Sequence, residues 1–139
     1  MRFLRLWFPN FFLILAIAVL PAFGQRGDLK VKVPFAFNVA EAKLSGGEYV
    51  LSSESGKVVI RDSRGRTLAL TLANEASRKK ADKIGRAIFE CYGDRCFLSQ
   101  FWAAGQNEGN QLLRSSLETK IAARQTGAYF ALLGTIPSQ

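Results

Sequence analysis

The chain has 139 residues, 19 of them basic against 11 acidic for a formal net charge of +8, with two cysteines and no histidine. Without imidazole, Ser-His-Asp and Cys-His catalysis, histidine metal sites and the commonest general base near neutral pH are all excluded. The length suits one domain with a modest core rather than two.

At the N-terminus, Arg2 and Arg5 form a basic head, residues 11–20 an unbroken apolar run, and Ala22, Phe23 and Gly24 a small-x-small exit. This is the layout of a secretory signal peptide over residues 1–24, cleaved after Gly24. The competing reading is a membrane anchor over residues 6–23, which reaches across a bilayer only if Pro9 and Asn10 join its apolar core. Gln25 rather than a cysteine follows the cleavage point, so no lipid anchor is supported and no permanent membrane anchor is expected after cleavage. Residues 25–139 then form a single β-rich domain carrying 17 basic and 11 acidic residues, about +6 net. Such a surplus favours anionic partners, although solubility alone explains it equally well. The one basic cluster, Arg78, Lys79, Lys80 and Lys83, is the candidate contact for an anionic partner.

Short β-rich runs separated by turn signals follow, spaced as in an antiparallel barrel or sandwich. Leu29, Val31 and Val33 alternate with Lys30 and Lys32, predicting one buried and one wet face. Pro34 cannot donate to a ladder and places this strand at an edge or breaks it with a bulge; Phe35, Phe37 and Val39 continue the buried pattern. Gly46 and Gly47 turn into a strand over 49–53. Residues 58–61 and 67–72 read as a hairpin around Asp62-Ser63-Arg64-Gly65, whose glycine supplies a positive φ. Residues 73–82 are polar and read as a mobile surface loop. Residues 83–92 and 95–103 form a third hairpin. In the tail, Leu113, Leu117 and Ile121 recur every four positions and Ser115 to Glu118 has capping-box spacing, predicting a helix over about 110–126 that Gly127 ends. The last apolar run, 129–136, either closes the sheet as a strand or lies against that helix. The expected fold is mainly β, a small antiparallel barrel or sandwich of about six to seven strands with one C-terminal helix.

The two cysteines flank a Gly93-Asp94 step. A two-residue loop with glycine first fits a type II′ turn, which sets Tyr92 opposite Arg95 and Cys91 opposite Cys96. That second pair is non-hydrogen-bonded, with Cα atoms about 4.5 Å apart, within reach of a disulfide, and an exported chain meets the oxidant that keeps one. Two buried free thiols are the alternative. Zinc would need two further ligands, and redox pairs sit as C-x-x-C at a helix start.

Catalytic and metal residues are not expected, nor is a cofactor. Glu48, Asp62, Glu90 and Asp94 lie on predicted strands and turns, but nothing in their spacing makes two converge as a glycosidase pair requires. Neither glycine stretch has the lysine and helix of a phosphate loop. Phe35, Phe37, Tyr49, Phe89, Phe97, Phe101 and Trp102 read as core; as an exposed surface they would stack on single-stranded nucleic acid, a partner that export makes unexpected.

The stretches VKVPFAFNV, KLSGGEYVL, VVIRDSRGR and IFECYGDRCFLSQFW, followed by a charged helix, resemble a group of small exported proteins of soil-dwelling bacteria with no assigned activity. The resemblance covers about residues 29–125 and rests on turn and core signatures. The group's hairpin carries a basic residue and a tyrosine where this chain has Cys91 and Cys96, and a histidine at the Glu90 position. The resemblance therefore implies a hairpin staple here and the loss of any role held by that histidine. The expected function is an exported, non-enzymatic interaction or structural module of the periplasm or cell exterior. It would meet an anionic polymer or another envelope protein through the basic loop or an uncovered sheet edge. A carrier of a small apolar ligand and a histidine-free hydrolase are the alternatives.

Overall fold

The computed structural model describes residues 27–137; the predicted signal peptide and its cleavage point lie outside them. Among the described residues there are ten strands and one helix: β1 (Leu29–Val33), β2 (Phe37–Val39), β3 (Ala42–Leu44), β4 (Gly47–Glu54), β5 (Lys57–Asp62), β6 (Thr67–Ser77), β7 (Gly85–Tyr92), β8 (Arg95–Trp102), β9 (Glu108–Leu112), α1 (Ser116–Ala122) and β10 (Ala128–Gly134).

The fold is mainly β with one helix, as expected, but the strands exceed six to seven and form one open, mixed sheet rather than a closed barrel. The order is β1-β4-β5-β6-β9-β8-β2-β3, with β7 on the other side of β8 and β10 on β7. Every pairing is antiparallel except β2 with β8, which meet in parallel at Asn38 and Phe97. The eleven-residue β6 joins the two parts, pairing β5 through residues 67–72 and β9 through residues 73–77. The sheet curls so that β1 runs close beside β10, with Leu29 against Gly134, but among the described residues the two sides share ladder hydrogen bonds only at Lys30 and Thr135.

The core sits inside this curl. Leu29, Val31 and Val33 point inward as the alternation predicts, and Pro34 ends β1 at Val33. Phe37 packs edge-on to Tyr49 and Phe89 with ring centroids 5.3 and 5.4 Å away, a favoured aromatic geometry. Leu51, Val58, Ile60, Ala87, Leu98 and Phe101 complete the buried cluster. β7 and β8 supply both faces: a bulge between Ile88 and Phe89 lets β8 turn Leu98 and Phe101 inward while Phe97 and Trp102 face outward.

Three sequence expectations fail for tertiary reasons. Residues 73–77 are not a loop, because β9 supplies a strand that takes up their ladder, with Ala73 opposite Leu112 and Ser77 opposite Glu108. The same pairing shortens the helix: residues 110–112 belong to β9, and α1 starts only after Ser115, whose hydroxyl accepts from the Glu118 N–H at 3.1 Å. The capping signal was therefore right and the four-residue apolar repeat was not, since Leu113 and Leu117 are exposed. Gly127 does not end the helix; it lies beyond the cap at Ala123 and has another task, described below. The apolar run at 129–136 does supply a strand, β10, paired with β7.

Turn chemistry follows the residues closely. Asp62 holds the β5–β6 loop, its carboxylate accepting from the Arg64 and Arg66 N–H groups at 2.9 Å each, with Gly65 at φ +83°. The β2–β3 turn, which the sequence does not announce, has Ala40 at φ +51°. Left-handed backbone costs alanine about 1–2 kcal/mol, against about 0.4–1 kcal/mol for the extra freedom glycine gives the unfolded chain. Ala40→Gly is therefore expected to stabilise the domain by about 0.5–1 kcal/mol, measured as a higher urea midpoint.

Cys91 and Cys96 are joined, with Cα atoms 4.0 Å apart, in the register the turn dictates: Tyr92 pairs with Arg95 and Cys91 with Cys96 around Gly93 at φ +64°. Closing so small a ring removes unfolded-state entropy worth about 2 kcal/mol. The reduced protein should unfold at correspondingly lower urea, with its far-ultraviolet dichroism in buffer unchanged.

Candidate functional site

On the outer face of β7, beneath the segment that carries α1, sequence-distant polar residues gather. Glu90 and Tyr92 project outward from β7, Glu118 comes from the first turn of α1, and Arg114 precedes its cap. The Arg114 guanidinium meets both Glu90 carboxylate oxygens at 3.3 and 3.2 Å, and its Nε lies 3.7 Å from Glu118. The Tyr92 hydroxyl donates to Glu118 Oε2 at 3.1 Å. Both glutamates are only 5 % exposed. Gly127 is what lets the following chain close over them: a Cβ there would stand 2.7 Å from Glu90 Cγ and 2.8 Å from the Tyr92 ring. Beside the cluster lies an open depression lined by Arg124, Thr126 and Tyr129 among others.

The electrostatics follow from this enclosure. Burial pushes the Glu118 carboxyl above its ordinary 4.5; the Tyr92 hydroxyl opposes the rise, Glu90 adds to it, and Arg114 pulls back. Tyr92 is raised by burial and by the two carboxylates, and Tyr129 by burial and by Glu90. Arg114 is raised, chiefly by Glu90. The sequence reading considered Glu90 and found no partner for it. The structure supplies Glu118, from 28 positions further along the chain, and only the capping signal at Ser115 marked that residue beforehand. Glu48, Asp62 and Asp94 are elsewhere: Glu48 pairs with Lys30 at 2.8 Å and Asp62 with Arg66 at 2.9 Å, while Asp94 lies in the β7–β8 turn. Chemically, the cluster orders one arginine and one tyrosine against two carboxylates and ties α1 to the sheet.

The remaining surfaces are of four kinds. In the basic loop, Arg78 is engaged: its guanidinium lies 4.7 Å from the centre of the Trp102 ring and donates to the Gln106 carbonyl at 2.9 Å. Lys79, Lys80 and Lys83 are exposed. A polar cleft of about 320 Å³ opens at one end of the curl, lined by Ser53, Glu75, Glu108 and Asn110 with Phe101 beneath; the Ser53 hydroxyl donates to Asn110 at 2.9 Å. On β6 the small Ala69 faces inward while Leu70 and Leu72 face solvent, 55 and 57 % exposed.

The fourth surface is the free edge of β10. Lys30 and Thr135 exchange both backbone hydrogen bonds at 2.8 Å each, so Thr135 turns its N–H and C=O away from β7. Alternate residues of an antiparallel strand point the same way, so Leu133, Ala131 and Tyr129 turn theirs outward too. Among the described residues no strand takes these groups up, since β10 pairs only with β7. The strand AYFALLG carries no charge and no proline, and Tyr129 and Leu133 are 59 and 61 % exposed. Phe130 stays 37 % exposed although it points to the core side against Phe35 and Phe89, so the seam beside it is open. The opposite edge, β3, is three residues long and presents Lys43.

Compared with protein-family models, with curated proteins and with solved structures, the chain finds no match in any of the three.

The Glu118 shift has a signed consequence. A carboxyl whose folded pKa lies above its unfolded value keeps its proton longer in the native state, so its contribution to stability falls as pH rises from about 4.5 through the folded value. Glu118→Gln removes that slope while leaving an acceptor for Tyr92. Urea titrations from about pH 4 to about pH 7 should show the variant gaining on the wild type as pH increases; a constant difference would disprove the assignment.

Proposed function

We propose that this protein is an exported, non-enzymatic interaction module of the periplasm or cell exterior, which recruits an extended partner segment to the free edge of β10. The carrying observation is the outward backbone groups of Tyr129 and Ala131, at the end of an uncharged edge strand that lies away from the Lys30–Thr135 bridge. Soluble proteins usually blunt such edges with charge, proline or shortness, and strand addition turns the same groups into a binding site. Export is supported by the Cys91–Cys96 disulfide, which persists in oxidising compartments, by the leader in the sequence and by the resemblance to small exported proteins. Among the described residues no helix is long and apolar enough to cross a membrane. The carrier reading is the less supported one, because Phe37, Phe89 and Phe101 fill the interior and the cleft at its end is polar.

The reading predicts the outcome of selecting peptides against the purified protein. Bound sequences should be extended and rich in alternating apolar residues, and Ala131→Pro should weaken them about tenfold or more, because proline removes an outward donor and spares the β7 ladder. Selection of acidic peptides that bind Lys79, Lys80 and Lys83 and ignore Ala131→Pro would replace this site with the basic loop.

A further inference from the structure

We infer that loop 78–84, together with Leu133 and Ile136, docks reversibly on an anionic phospholipid surface. Aliphatic side chains and unpaired lysines meet at this end of the sheet. Ile84 is 46 % exposed, Leu133 61 % and Ile136 72 %. The register makes them neighbours: β10 pairs Leu133 with Arg86 and Gly134 with Gly85, so Ile84, one residue before Gly85, stands opposite Thr135 and diagonal to Leu133 on the outer face. Ile136 follows just past the Lys30–Thr135 bridge.

Charge surrounds these groups. Lys83 adjoins Ile84, Lys79 and Lys80 lie earlier in the same loop, and Lys32 flanks Leu133 from the β1 side, two residues past the bridge. Lys30 and Arg86 are already held by Glu48 and Asp82, whereas Lys32, Lys79, Lys80 and Lys83 are exposed and, among the described residues, make no ion pair. Of the acids left unpaired nearby, Glu75 and Glu108 turn into the cleft on the inner face, which leaves Asp28 against four lysines. The loop also has a fixed base. Arg78 lies over Trp102 and donates to the Gln106 carbonyl, while the Asp82 carboxylate accepts from the Ile84 N–H at 3.1 Å and the Asp82 carbonyl from the Gly105 N–H at 2.7 Å.

Composition selects the partner. Protein interfaces are depleted of lysine and centre on aromatic and arginine anchors, but the exposed groups here are aliphatic chains and lysines. At an anionic bilayer each lysine near the headgroups adds attraction, and the aliphatic chains enter the boundary between headgroups and acyl tails. An acidic polymer would engage the lysines and leave the aliphatic chains in water. This face makes no use of the outward backbone groups of Tyr129 and Ala131, so it stands or falls separately from strand addition.

Vesicle co-sedimentation provides the test, on the chain recovered after export without the apolar residues 1–24, which would bind vesicles by themselves. Binding is expected to vesicles of equal parts phosphatidylglycerol and phosphatidylcholine, weakening as salt rises, and not to phosphatidylcholine alone. Lys79→Gln, Lys80→Gln and Lys83→Gln combined should weaken it about tenfold or more, and Ile84→Gln with Leu133→Gln about as much. Leu72→Gln, equally apolar and 57 % exposed but on β6, should change nothing. Fluorescence of Ile84→Trp should move to the blue on the anionic vesicles. Every substituted side chain is exposed, so the variants keep the fold. Absence of binding to the anionic vesicles at low salt overturns the inference. So does binding that the lysine variant loses but Ile84→Gln with Leu133→Gln retains, which is the behaviour of a general polyanion site, or a loss in Leu72→Gln as large as theirs.

Discussion

The rest of the fold depends on the β7–β8 hairpin. Its inner face supplies Ala87, Phe89, Leu98 and Phe101 to the main core, its outer face Tyr92, Phe97 and Trp102 to a second layer, and its edges receive β10, β9 and β2. A hairpin with large side chains on both faces must hold its register, since a one-residue slip would exchange the two sets. Two devices fix it here. The Gly93-Asp94 turn sets the pairing at one end, where the disulfide closes it covalently, and the bulge at Ile88/Phe89 resets it midway. The staple therefore stabilises a strand pair on which both layers are built, and its effect on stability works through the unfolded chain while its effect on order works through register.

Buried carboxylates on the outer layer need a separate account. Taking Glu90 and Glu118 out of water is costly unless their oxygens are engaged, and here Arg114 and the Tyr92 hydroxyl engage them. Arg114 is itself about half exposed, so the ion pairs hold the chain in place more than they add to stability. What the cluster supplies is position: α1 is one short helix of seven residues, too short to be stable alone, and its first turn is fastened through Glu118 to β7. Gly127 serves the same end by bringing the chain back over Glu90 to begin β10. The polar cluster thus decides where β10 starts, and so which backbone groups the edge presents.

Much of this was legible in the sequence wherever a local rule sufficed. The alternation in β1, the Asp62–Gly65 turn, the Ser115 cap and the cysteine register depend on neighbours a few positions apart, and the structure follows them. The β9 segment was not legible, because Glu108, Gly109, Asn110 and Gln111 have little intrinsic strand preference. They are strands because β6 runs long beside them and because Gly109 leaves room for the Trp102 indole, against which any Cβ would clash. Likewise the exposure of Leu70 and Leu72 reverses what their hydrophobicity suggests. The bulge between Ile60 and Arg61 fixes the phase of β6, and the interior opposite, filled by Phe37 and its neighbours, receives the small Ala69 instead. The meeting of Glu90 with Glu118 is invisible in one dimension for the same reason: no spacing rule relates a strand to a helix across an intervening hairpin.

The open seam has a cause in the chain as well. β1 and β10 lie in an orientation that would close the sheet, and they begin to do so at Lys30 and Thr135. Lys32 would be the next residue to pair, opposite Leu133, but two residues later Pro34 removes a donor and the chain turns across the end of the curl to place Phe35 against Phe89 and Phe130. Burying those rings is worth several kcal/mol of apolar transfer, more than the net gain from two or three additional ladder bonds at about 1 kcal/mol each. Aromatic packing therefore wins over closure, and the ladder that β1 leaves unfinished is the edge that β10 exposes. A core this small gains its aromatic cluster at the expense of a complete barrel, and what results is a β10 that pairs with β7 along one side and is left without a continuous ladder along the other.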